Sequence, residues 1–164
     1  MFGQPYRTVI TPDGTLGVTA GQGFGNSLDA DCLSFVDLTA DPIRTVAYTP
    51  IGAVPESFEI SPDGRWIAAV LMNGSNLAAS DPNYHPQGAV VLLERRGKAY
   101  VKVDEQKVGR IPEGVAFSPD GKYVVVQCHP DRNLWLFARN GRSLKDTGRR
   151  IDVPGMPSSL RAGP

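Results

Sequence analysis

The chain has 164 residues, with 17 Lys+Arg against 17 Asp+Glu and a formal net charge of zero. That balance speaks against a polyanion-binding protein, whose domains carry a basic excess. A hydrophobic content of 41% supports a packed core, and two cysteines are too few for a disulfide scaffold.

The N-terminal run Met1-Phe2-Gly3-Gln4-Pro5 shows neither a basic nor an apolar leader region. No apolar stretch approaches the ~20 residues of a membrane helix. Strand signals then arrive in groups of four. The first group is Tyr6–Thr11, Thr15–Ala20, Cys32–Leu38 and Ile43–Thr49. The second is Ser57–Ser61, Trp66–Met72, Ala89–Glu94 and Ala99–Val103, and the third is Gly114–Ser118, Tyr123–Gln127, Asn133–Ala138 and a weaker Arg149–Val153. Apolar residues keep no helical period anywhere, so the fold class is all-β. Ala89–Leu93 and Leu134–Phe137 are nearly continuous apolar runs, the pattern of strands buried on both faces.

The groups are copies of one unit. Thr11-Pro12-Asp13-Gly14 recurs as Ser61-Pro62-Asp63-Gly64 and Ser118-Pro119-Asp120-Gly121, each seven residues after an earlier proline: Pro5, Pro55 and Pro112. Pro157–Pro164 is a degenerate fourth copy, and the four opening prolines are spaced by 50, 57 and 45 residues. Such a period is that of a propeller blade. Proline presets φ in the turn, Asp accepts local backbone hydrogen bonds, and Gly takes the positive φ that lets the next strand reverse. Asn140-Gly141 is a further hairpin signal.

The unit Pro112–Val126, Pro-Glu-Gly-Val-Ala-Phe-Ser-Pro-Asp-Gly-Lys-Tyr-Val-Val-Val, resembles the repeat of the YVTN family of β-propellers, a lactonase-like and cytochrome-d1-like superfamily. Ile51-Gly52 and Val108-Gly109 fit the same pattern, whereas the Trp-Asp pair of WD40 repeats and the Gly-Gly pair of kelch repeats do not occur. The resemblance implies a single propeller portion over 1–164, with blades at 5–50, 55–107 and 112–154 and a remnant strand at 157–164. It also implies a periplasmic or extracellular parent family. Three blades do not close a ring. The expected whole is therefore a ring of about six to eight blades, completed by missing blades or by self-association. The two end blades should leave apolar faces open, and 157–164 should pair with a strand of another blade.

Up-and-down blades place the Pro-Asp-Gly turns on one face of the ring and the long polar loops Gly21–Asp31, Asn73–Gly88 and Cys128–Arg132 on the other. Long loops gathered on one face of a repeat protein are its expected binding face. Glu56 and Glu113 follow the opening prolines and should sit at the inner rim of that face. They would either cap backbone N–H groups or form an acidic ring at the channel mouth that binds a cation or polar ligand. His85 and the cluster Cys128, His129 and Asp131 should share the same face. Their ligand chemistry suits a divalent cation, but none has a paired-ligand spacing, so a site would have to be assembled across blades. The alternative is surface histidines with Cys128 as a small buried hydrophobe.

Three further motifs point to structure. Gly21-Gln-Gly-Phe-Gly25 lacks the helix a phosphate cradle needs, Asn73-Gly-Ser75 is a glycosylation match of the kind that arises by chance, and Ser158 and Ser159 lack an elbow motif. Arg95, Arg96, Lys98, Arg149 and Arg150 read as a solvated rim. The leading expectation is a non-catalytic scaffold or binding module for a protein or small molecule, without nucleic acid, membrane or resident cofactor. Its rival, by resemblance, is a hydrolase of a sugar lactone using Glu or His as general base, or a bound divalent cation as Lewis acid. Haem binding would have only His85 and His129 as histidine ligands.

Overall fold

The computed structural model of the chain describes residues 4–22 and 28–162. Most of the glycine-rich run ending at Gly25, and the last two residues of the fourth repeat copy, lie outside those residues. Twelve strands form three antiparallel sheets, each in simple sequential order, and the described residues contain no helix. Blade one is β1 (Gln4–Ile10), β2 (Leu16–Gln22), β3 (Asp31–Asp37) and β4 (Arg44–Gly52). Blade two is β5 (Pro55–Ile60), β6 (Trp66–Leu71), β7 (Ala89–Arg96) and β8 (Ala99–Lys107). Blade three is β9 (Pro112–Phe117), β10 (Tyr123–Cys128), β11 (Asn133–Asn140) and β12 (Ser143–Asp152). The first strands β1, β5 and β9 approach one another at the centre, and the fourth strands meet at the periphery.

The first hairpin of every blade closes with one chemistry. The carbonyls of Thr11, Ser61 and Ser118 each accept the glycine N–H of the turn at 2.8 Å, with Gly14, Gly64 and Gly121 at φ of 70, 69 and 66°. The hydroxyls of Thr11, Ser61 and Ser118 donate to Asp13, Asp63 and Asp120 at 2.5–2.6 Å. The same oxygens accept the N–H of Leu16, Trp66 and Tyr123 at 2.9–3.0 Å. The second hairpins turn one residue later than Asn140-Gly141 suggested. Asn140 pairs with Ser143 and Arg96 with Ala99, so the glycines at φ of 59 and 62° lead each two-residue turn.

Blade two supplies the core on both sides. All of β6 is buried, and its alternate residues divide between the neighbours. Ile67, Ala69 and Leu71 join Val91, Leu93 and Phe58 against Leu16, Val18, Leu33 and Phe35 of blade one. Trp66, Ala68 and Val70 join Val90 and Leu92 against Val115, Phe117, Val124, Val126 and Phe137 of blade three. The sequence expectation of two buried faces therefore holds for Ala89–Leu93. It does not hold for Leu134–Phe137, where only Phe137 is fully buried and Leu134, Trp135 and Leu136 are half-buried. Trp135 packs with Phe137 toward blade two, whereas Leu134 and Leu136 lie on the face that no blade of this arc covers. Large exposed apolar side chains concentrate on the end blades: Tyr6, Ile10, Ile43, Val46 and Tyr48 on blade one, Tyr123 and Ile151 on blade three.

Several residues read as solvated rim are instead committed. Arg95, in the second hairpin of blade two, reaches the first turn of blade one, donating to Asp13 at 2.7 Å and Thr15 at 2.9 Å. Arg139 holds the corresponding place in blade three and lies 4.7 Å from the ring centre of Trp66 in blade two. Lys98 pairs with the buried Asp37, and together with the Thr39 hydroxyl it holds that carboxyl down at about 2. Arg150 stacks on Trp135 at 3.4 Å.

The C-terminal segment packs on the third blade. Among the described residues 157–162 pair with no strand. The segment lies instead against β9 and β10, with Gln127 Nε2 donating to the Pro157 carbonyl and Leu160 over Gly114.

Truncation separates the two environments. Leu92→Ala and Leu93→Ala should each cost about 2–5 kcal/mol in urea-induced unfolding, whereas Leu136→Ala, half-exposed on the open face, should cost about 1 kcal/mol or less.

Candidate functional site

The candidate site is built by the crossings between blades. Val54 and Ile111, each directly before an opening proline, sit at φ of 53 and 44°, a strained region for β-branched residues. Hydrogen bonds hold them there: Asp31 Oδ2 accepts the Val54 N–H and Ser75 Oγ the Ile111 N–H, both at 3.0 Å. Each crossing delivers the residue after its proline to the inner rim. The repeat-equivalent residues Tyr6, Glu56, Glu113 and Ser158 thereby line one cavity of about 410 Å³, with Arg7, Ser57 and Ser159.

The carboxylates are held by side chains. Gln22 Nε2 donates to Glu56 Oε2 at 2.7 Å. The Tyr6 phenol lies against the same carboxylate, whose hydrogen bond and charge push its pKa up to about 12. His129 Nδ1 is 3.3 Å from Glu113 Oε2 and 3.0 Å from the Pro157 carbonyl. Burial raises the Glu113 pKa, His129 pulls it back, and the charge of Glu56 pushes it up again. Arg7 is already neutralised, donating to Glu59 at 2.8 Å and Ser57 at 3.1 Å while lying over the Phe58 ring.

Of the residues singled out from sequence, Glu56, Glu113 and His129 come together here. Cys128 is fully buried behind them, packed against Gly109, where a Cβ would come within 2.8 Å of its sulfur. Asp131 accepts the Arg110 N–H at 2.8 Å and so braces the crossing into β9. His85 is exposed and lines a separate cavity of about 120 Å³ with Asn73, Gln87, Glu105 and Lys107. Among the described residues no three His, Cys, Asp or Glu side chains are grouped to hold a metal ion. The serine of Asn73-Gly-Ser75 is in structural use, donating to the Met72 carbonyl at 2.7 Å and accepting from Ile111. Tyr6, Arg7, Gln22, Ser158 and Ser159 were not anticipated. Reading down the repeat column after each opening proline would have found Tyr6 and Ser158.

No protein-family model and no curated protein matches the chain. Solved structures do. A Bacteroides fragilis protein provisionally described as a 6-phosphogluconolactonase superposes at a TM-score of 0.75 and 17% identity, over 96% of this chain and 41% of its own. The periplasmic gluconolactonase of Pseudomonas aeruginosa matches at 0.71 and 18%, over 96% and 42%. The β-propeller domain of Cps50 (Swd1) from Myceliophteria thermophila matches at 0.63 and 14%, over 94% and 45%. The chain is a three-blade arc of a β-propeller. It spans under half the length of each of these structures, and its neighbours include lactonase-like propellers.

Burial pushes the Cys128 thiol up to about 12 and raises that of Cys32 as well. Both should therefore stay protonated and unreactive toward Ellman's reagent in the native protein at pH 8, and titrate as two thiols only after denaturation.

Proposed function

We propose that this chain is the ligand-binding arc of a lactonase-like propeller of the YVTN type, and that the mouth bounded by Tyr6, Glu56, Glu113 and Ser158 takes a small polyhydroxylated ligand. One observation carries the reading: four equivalent positions of the repeat, one from each copy, converge on one polar cavity. Carboxylate, phenol and serine hydroxyl groups suit a ligand that both donates and accepts hydrogen bonds. Further blades, in the same parent protein or another copy, close the ring, and the resemblance to a periplasmic gluconolactonase supports a periplasmic parent.

A second reading, hydrolysis of a sugar lactone, is favoured by the Glu113–His129 contact and by the names of the lactonase-like neighbours. Glu113 would take a proton from water attacking the lactone carbonyl. The ring C–O bond then breaks, Glu113 returns its proton to the leaving alkoxide, and the new carboxylic acid ionises, giving the hydroxy-carboxylate and one released proton.

Titration with glucono-1,5-lactam, a non-hydrolysable mimic, tests the binding reading by NMR. Saturable shifts at residues 56–57 and 113–114 are expected, abolished by Ser158→Trp, which fills the mouth from an exposed position. Absence of saturable shifts contradicts the proposal. The hydrolytic reading requires proton release from glucono-1,5-lactone above the spontaneous rate, lost in Glu113→Gln.

A further inference from the structure

Resting on the binding reading, we infer that the mouth discriminates by charge: it admits a neutral polyhydroxylated ring and rejects the same ring carrying a phosphate ester. The lining of the mouth holds three charged side chains, Arg7 against Glu56 and Glu113. Arg7 is the only cation among them, and both of its terminal nitrogens are taken. One donates to Glu59 and the other to Ser57, and the guanidinium carbon lies over Phe58, 5.8 Å from the ring centre. With Glu59 counted, that pair is neutral.

The two carboxylates have no such cancellation. Glu56 is met by an amide and a phenol, both neutral donors. Glu113 is met by His129, which is charged only when protonated. Arg161 lies further along the inner strands, lining an adjoining cavity of about 200 Å³ with Glu59, Ile60 and Phe117. Phosphate recognition ordinarily uses a free Arg or Lys fork or a helix N-terminus. The described residues contain no helix, and the one arginine at the mouth is already paired. The exposed serine hydroxyls at 158 and 159 are left to meet neutral hydroxyl groups.

The test compares glucono-1,5-lactam with its 6-phosphate, binding to the intact chain at pH 8. The phosphorylated ring should bind at least about tenfold more weakly at low salt, and the gap should narrow as salt screens the carboxylates. In the double variant Glu56→Gln, Glu113→Gln the amides keep hydrogen-bonding capacity, so the gap should shrink to within about threefold. Equal or tighter binding of the phosphate, or a gap that survives both salt and the double variant, overturns the inference while leaving the binding reading intact. Failure of both rings to bind overturns the binding reading and this inference with it. The salt dependence of the unmodified chain decides the matter even if the double variant does not fold.

Discussion

The structure depends on the face-to-face packing of one sheet between two others. A single four-stranded sheet cannot bury both of its faces, and blade two is the only blade of this arc with a neighbour on each side. The period-two alternation of strands turns that geometry into sequence. Odd and even positions of Trp66–Leu71 and Ala89–Leu93 serve opposite interfaces, so both must be apolar. Blades one and three carry the same kind of strand with one face covered, which explains their exposed tyrosines and isoleucines.

Directionality comes from the polar turns. Each blade closes its first hairpin with a hydroxyl, an aspartate and a glycine. The following blade then reaches back with an arginine, Arg95 onto Asp13 and Arg139 onto Trp66. The corresponding residue of blade one is Leu38, whose N–H bonds to Thr15 O as that of Arg95 bonds to Arg65 O. The turns therefore hold successive blades in register at one face of the ring. The crossings, strained at Val54 and Ile111, deliver polar side chains to the other. Structure and candidate site are separated onto opposite ends of the inner strands.

Much of this was legible in the residues. The spaced prolines and the Pro-Asp-Gly turns marked the first two strands of each blade, because turn chemistry is local and repeats here with only a Thr-for-Ser change. Glu56 and Glu113 were legible as rim residues for the same reason. What escaped depends on neighbours in space. The outer strand β12 starts at Ser143 rather than Arg149 because Ser-Leu-Lys-Asp-Thr-Gly carries no alternation to read, being mostly exposed. Leu134–Phe137 has the composition of a strand buried on both faces, and within this three-blade arc only its face toward blade two is covered. The engagement of Arg95 and Arg139 requires knowing which hairpin faces which turn. The site's own donors, Gln22 and Tyr6, reach Glu56 across a blade boundary that no local pattern marks.

Native-state hydrogen exchange tests the packing account most directly, since it reads the opening of each strand in one experiment. Amides of Ile67–Val70 and Val90–Leu92 should be the slowest in the chain and should exchange only with global unfolding. Those of β3 and β11 in the end blades should open by smaller, local fluctuations. Equal protection across all three blades, or faster exchange in β6 and β7 than in β11, would contradict the claim that the doubly packed central blade holds the arc together.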